Sequence, residues 1–156
     1  MDIVTLLSTD NIACETESSS KKCALEHLAA MLAENGSNSA YTYEAIFDAL
    51  IAREKLGSTV LGNGIAIPHA CLEVAYPKAA LLLLEEGLKM DAPDKKPVGV
   101  ILALIVPKGS GESHSLLSEF AALLNHKSTY GKLLELRDPQ LIQDYLHHLF
   151  NQGMAA

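Results

Sequence analysis

Two apolar runs constrain this chain more than anything else in it: Ala79–Leu84, and Val98–Val106, which contains a single glycine, Gly99. Neither has the period of about 3.6 residues of an amphipathic helix or the strict alternation of a half-exposed strand. Each therefore reads as a sheet strand covered on both faces. Both fall well short of the roughly 20 apolar residues needed to cross a bilayer. Between them Met90-Asp-Ala-Pro-Asp-Lys-Lys-Pro97 is polar and broken by proline, which makes it a turn.

Strands buried on both faces need helices to cover them, and the flanking segments have the right patterns. Ser20 is an N-cap for a helix running to about Glu34, with Leu25, Leu28, Met31 and Leu32 on one face and Gly36 placed to stop it. Thr42 introduces a second helix, Tyr43 to Leu56, which turns Ile46, Phe47, Leu50 and Ile51 inward and ends at Gly57. After the apolar runs, about Glu112 to Lys127 carries a stripe of Leu116, Phe120, Leu123 and Leu124. Shorter helices are expected near Tyr130–Leu136 and Pro139–Phe150, followed by a frayed tail at 151–156. From Gly57 to Pro68 three glycines surround short apolar pieces, a pattern of loop and short strand. The first 19 residues are mixed, apart from an apolar start at Ile3–Leu7. No linker or repeat divides the 156 residues, so the expectation is one α/β domain with helices flanking a central sheet.

Charge narrows the function. Twelve basic residues against nineteen acidic ones give a formal charge of -7 with no basic stripe, which argues against nucleic acid and anionic membranes as partners. The first residues have no basic stretch of the kind that opens a secretory signal. The three cysteines, Cys14, Cys23 and Cys71, are irregularly spaced and read as reduced thiols of a cytoplasmic protein. No cluster has convincing metal-ligand spacing, and no cofactor is expected.

His69 stands out within Gly62-Asn-Gly-Ile-Ala-Ile-Pro-His69. Pro68 lacks an N–H and drives Ile67 to an extended conformation, so the chain is expected to leave a strand here and present the imidazole to solvent. The glycines before it allow close approach by another backbone or by a phosphoryl oxygen. The imidazole is largely neutral, and nucleophilic, at cellular pH. An ordinary loop histidine beside a rigid turn would look the same from spacing alone.

A wider string carries more. Arg53-Glu-Lys-Leu-Gly-Ser-Thr59, continued by Val-Leu-Gly-Asn-Gly-Ile-Ala-Ile-Pro-His69, resembles the signature of the fructose, mannitol and nitrogen-regulatory class of enzyme IIA domains of the phosphotransferase system. Asp91-Ala-Pro-Asp-Lys-Lys-Pro-Val98 and Leu104-Ile-Val-Pro107 match later blocks of that class, in order. Ser20-Lys-Lys-Cys-Ala-Leu-Glu-His-Leu is similar to the first helix of its nitrogen-regulatory branch. The resemblance implies a central mixed sheet with helices on both faces. It also implies a phosphocarrier, a transferase component rather than a stand-alone enzyme of many turnovers.

By the same resemblance His69 receives a phosphoryl group from HPr or its nitrogen-branch counterpart, through Nε2. The other ring nitrogen then needs an acceptor to fix the tautomer. Phosphoryl transfer through a loose transition state asks for positioning and charge stabilisation more than for covalent help. Arg53 carries over as the arginine near the site, with a fork suited to phosphoryl oxygens; a cation at that point also complements a helix C-terminus. Gly57, Ser58 and Thr59 are candidates for the site wall, or simply turn formers. His114 is a candidate second histidine, although Ser113-His-Ser-Leu-Leu-Ser118 fits the family's His-Leu-x-x-Leu-Ser only with Ser113 in the histidine's place. It reads equally as a solvent-facing residue of a first helical turn. His27, His126, His147 and His148 read as structural, and Cys71 as a neutral filler.

Two branches compete: a regulator of nitrogen, carbon or ion transport acting through protein contacts, and a sugar-specific component that passes the group to a IIB domain. The stand-alone chain, the Ser20-Lys-Lys block and the Gly-Asn-Gly sequence favour the regulator. A small hydrolase or metal enzyme is the distant alternative. It would need a Gly-x-Ser-x-Gly elbow, a His-Glu-x-x-His helix or paired cysteines, none of which this sequence has.

Overall fold

The computed structural model describes residues 3–36, 39–109, 111, 113–126 and 128–152. The two apolar runs form its centre. Strand β5, Lys78–Leu88, and strand β6, Val98–Pro107, pair antiparallel, with Leu81 opposite Leu102. Their residues alternate between two apolar cores. Ala79, Leu81, Leu83, Leu102, Leu104 and Val106 point to one face, and Ala80, Leu82, Leu84, Ile101, Ala103 and Ile105 to the other.

Two helices close the second face, and their caps explain where they begin. In α1, Lys21–Leu32, the Ser20 hydroxyl accepts the Cys23 N–H at 3.1 Å. In α2, Tyr43–Leu56, the Thr42 hydroxyl accepts the Ala45 N–H at 3.2 Å. Helix α1 stops at Leu32, short of the expected Glu34, because the Glu34 N–H turns away to donate to the Tyr41 carbonyl at 2.8 Å. Gly57 ends α2 with φ 156 and ψ 157, a conformation open essentially to glycine.

The first face is covered by α3, Ser113–Leu124, α4, Thr129–Leu136, and α5, Pro139–Asn151, with a 3-10 turn at Ile3–Leu6 wedged beside them. Phe120 is wholly buried at the centre of that core. Helix α5 opens on Asp138, which accepts the Leu141 N–H at 3.1 Å, and on Pro139 in the first turn. Asn151 still belongs to α5. Residues 153–156 of the expected frayed tail lie outside the described residues, as do Glu112 and Lys127 at the expected ends of the third helix.

Four short strands complete a six-stranded mixed sheet of order β1-β5-β6-β3-β2, with β4 also on β6. Strand β1, Ile12–Glu15, runs parallel to β5; β2, Val60–Gly62, and β3, Ile65–Ala66, form a hairpin; β4 is His69–Leu72. β3 and β4 lie end to end along β6, both parallel to it and in one register, with Ile65 opposite Val100 and His69 opposite Leu104. They are one strand interrupted at Ile67-Pro68, where proline has no N–H to give the ladder. This corrects the expectation that the chain leaves the sheet at His69: the Pro68 carbonyl still accepts the Leu104 N–H at 3.0 Å and keeps the register, and His69 opens β4. Among the described residues no helix is long and apolar enough to cross a membrane.

Candidate functional site

The break in the β3–β4 strand gives His69 its setting. Ile65 and Ile67 belong to the core under α3–α5, whereas Ala66, Ala70 and Leu72 pack toward α1 and α2. Alternation along the strand therefore aims His69 to the α3 side, where it is half-buried. Its Nδ1 lies 2.8 Å from the Ile67 carbonyl oxygen. A carbonyl only accepts, so this contact is a hydrogen bond only when Nδ1 carries the proton. The neutral ring then keeps its lone pair on Nε2.

Arg53 is half-buried in the last turn of α2, the helix packed against β4. Its Nη1 donates to the Gly57 carbonyl at 2.9 Å, so it caps its own helix and pins the loop that follows. The rest of its fork is not used by this bond. The loop Gly57–Thr59 then passes from the helix to β2. Ser58 is exposed, and its Oγ accepts the Val60 N–H at 3.2 Å, a turn-forming contact. Thr59 is buried and donates its hydroxyl to the Glu54 carboxylate, while its backbone carbonyl accepts the Ile67 N–H at 3.1 Å. Hydrogen bonds thus link the loop to Ile67, and Ile67 to the His69 ring.

Comparison with known proteins gives the family of the chain. The family described as "Phosphoenolpyruvate-dependent sugar phosphotransferase system, EIIA 2" matches residues 5–149. The chain belongs to this enzyme IIA family. It is 36% identical over 149 residues to a "Nitrogen regulatory protein" of Bradyrhizobium diazoefficiens, covering 94% of this chain and 95% of the relative. It is 35% identical over 147 residues to a "PTS system fructose-specific EIIA component" of Haloferax volcanii, covering 93% and 94%. The crystal structure of the nitrogen regulatory protein IIA-Ntr from Neisseria meningitidis superposes with a TM-score of 0.84 at 34% identity, covering 92% of this chain and 98% of that one.

In this enzyme IIA domain the other sequence candidates are less closely tied to His69. His114 is exposed in the first turn of α3, the helix on the face toward which His69 points. Cys71 is exposed two residues along β4 and is a free thiol, as are Cys14 and Cys23. His27 lies on α1 and the pair His147 and His148 on α5, while His126 follows α3. No group of three His, Cys, Asp or Glu side chains able to hold a metal occurs among the described residues.

Glu54 and Lys21 were missed by the sequence reading. Glu54 is a buried carboxylate, 8% exposed, with Lys21 Nζ 3.4 Å from its Oε2. Their only sequence signal is a charge on the inward side of a helix, because Glu54 follows Ile46 and Leu50 at four-residue spacing. Asp94 was not singled out either. Its Oδ2 accepts the Asn63 N–H of the β2–β3 hairpin at 2.7 Å, and this bond, with one from the Lys96 N–H, holds its carboxyl below the usual range.

Proposed function

We propose that the protein is a phosphocarrier that accepts a phosphoryl group on His69 Nε2 from HPr or an HPr-like carrier. The observation that carries this reading is the 2.8 Å contact of Nδ1 with the Ile67 carbonyl, at the histidine of the family's Pro-His motif. With Nδ1 holding the proton, Nε2 is the nucleophile. Its bond to phosphorus forms as the bond to the donor breaks, and the proton stays on Nδ1, hydrogen-bonded to the Ile67 carbonyl. Arg53, whose fork stands at the edge of the same loop, is the group to neutralise phosphoryl oxygens in transit. Phosphorylation adds up to about two negative charges to the site, which changes the surfaces that can dock there.

Incubation with phosphoenolpyruvate, enzyme I and an HPr-type carrier is expected to give one acid-labile phosphoryl group per chain. His69→Ala should take none, and Arg53→Ala should be labelled at least about tenfold more slowly. A wild-type chain that takes no label, or a His69→Ala chain that still does, overturns the reading. Unchanged labelling of Arg53→Ala reduces Arg53 to a helix cap.

The phosphoryl group then serves a regulatory output through protein contacts, in keeping with the full-length nitrogen-regulatory relative and the 0.84 superposition. The fructose-specific relative matches at nearly the same identity and coverage and supports a second reading, transfer to a IIB domain. Mixing the labelled chain with a fructose-type IIB domain separates the two. Rapid loss of label to IIB favours the sugar reading, and retention of label favours the regulatory one.

A further inference from the structure

Glu54 faces inward beneath the loop that leads to His69, and the acceptor chemistry above makes no use of it. An ionised carboxylate is costly to remove from water unless partners replace its hydration, so its partners show what its burial secures. Oε1 accepts the Thr59 hydroxyl, Oε2 faces Lys21 Nζ at 3.4 Å, and the backbone carbonyl accepts the Gly57 N–H at 3.2 Å. All three bonds hold the same three-residue loop or the charge beneath it.

From Thr59 the restraint runs onward. Its carbonyl takes the Ile67 N–H at 3.1 Å, and the Ile67 carbonyl takes His69 Nδ1 at 2.8 Å. Pro68 confines Ile67 to extended backbone, so fixing the N–H of Ile67 also aims its carbonyl. The Leu104 N–H on the Pro68 carbonyl, at 3.0 Å, anchors the far side of that step. The ring's tautomer thus depends on a carbonyl whose place is set by Thr59.

We infer that Glu54 is a positioning residue for the phosphoryl acceptor: by gripping Thr59 it holds the Ile67 carbonyl on His69 Nδ1 and so keeps Nε2 unprotonated and facing outward. Lys21 Nζ, 3.4 Å from Oε2, supplies the opposite charge on the other carboxylate oxygen. The consequence for transfer rests on the reading of His69 as the acceptor, whereas the consequence for the ring's tautomer does not. If the trio only fastened the helix end to the loop, its loss would lower stability and leave the ring unchanged.

The test compares wild type with Thr59→Val, Glu54→Ala and Glu54→Gln. Nitrogen-15 NMR of the His69 ring, at a pH where it is neutral, reports which nitrogen holds the proton. Wild type is expected to show predominantly the Nδ1–H tautomer. Thr59→Val removes only the hydroxyl and Glu54→Ala the acceptor; both are expected to admit the second tautomer and to slow phosphorylation about tenfold with the KM for the carrier unchanged. Glu54→Gln keeps an oxygen for Thr59 and should recover most of both signals. A mixed tautomer in wild type, or an unaltered one in folded Thr59→Val, overturns the proposal. So does failure of all three variants to fold, which would assign the trio to stability alone. An unlabelled wild type sinks the acceptor reading instead, and the tautomer measurement still decides the positioning role.

Discussion

Tyr76 and Glu34 show how much a pair of side chains distant in sequence can decide. The Tyr76 hydroxyl donates to Glu34 Oε2, the Ser39 hydroxyl donates to Oε1 at 2.8 Å, and Lys78 Nζ lies 3.3 Å away. The bond from Tyr76, then the one from Ser39, holds the Glu34 carboxyl below its ordinary range, and the same bond to Glu34 pushes the Tyr76 phenol up. The native carboxyl takes its proton less readily than the unfolded one. Its contribution to stability is therefore present above the ordinary carboxylate value and lost as pH falls through the lower native value. The phenol contributes below its ordinary value and loses that contribution as pH rises through the higher native one. Tyr76→Phe is expected to lower the urea midpoint at neutral pH and to flatten both the acid and the alkaline limb. Limbs as steep as those of wild type would refute the pairing. Nothing in the sequence near Glu34 announces this partner, which lies beyond one helix and three strands. Arg53 is the opposite case, because its chemical type and the Gly57 carbonyl four residues on were both readable. Glu54, its neighbour, was not, since whether a helical charge faces solvent or a loop depends on what folds over it.

At the scale of elements, the β2–β3 hairpin and α4 are fitted together by two glycines. Gly64 has φ +83, and a Cβ there would lie 2.5 Å from Tyr130 Cε2; a Cβ on Gly99 would lie 2.6 Å from the Tyr130 hydroxyl oxygen. The Gly64 carbonyl also accepts the N–H groups of Gly99 and Val100 at 2.9 and 3.1 Å, so the hairpin, β6 and the tyrosine share one slot. Gly64→Ala is expected to cost about 2–4 kcal/mol by urea unfolding, from backbone strain plus overlap with the ring. Adding Tyr130→Leu should return the overlap part and leave the strain. An alanine tolerated at position 64 without loss would contradict the slot. The Gly-Asn-Gly sequence was legible as a turn, but its partner was not, because Tyr130 arrives from a helix far along the chain. The same limit explains β1 and β4. Each has four residues, too few to show a period, and becomes a strand only because β5 or β6 offers it a free edge.

For the whole molecule, one sheet divides two cores, and both lean on β5 and β6. Leu28 lies in the core under α1 and α2, and Phe120 in the one under α3–α5; both are fully buried. Leu28→Ala is expected to cost about 2–5 kcal/mol and Phe120→Ala about 3–5 kcal/mol. Because a layer of strands separates them, the two losses should add to within about 0.5 kcal/mol in the double variant, provided that it still folds. A strong coupling energy would show that the sheet transmits packing between its faces. The sequence by itself determined the elements whose signal is local: the two buried runs, the five helices with their Ser20 and Thr42 caps, and the Pro-His string that marks the family. Each depends on periodicity, capping or proline geometry within a few residues. Only the tertiary structure decided that β3 and β4 are one interrupted strand, that His69 Nδ1 meets the Ile67 carbonyl, and that Glu54 faces inward to hold Thr59. Those outcomes depend on which distant backbone groups are left needing partners once the sheet has closed, and no local pattern carries that information.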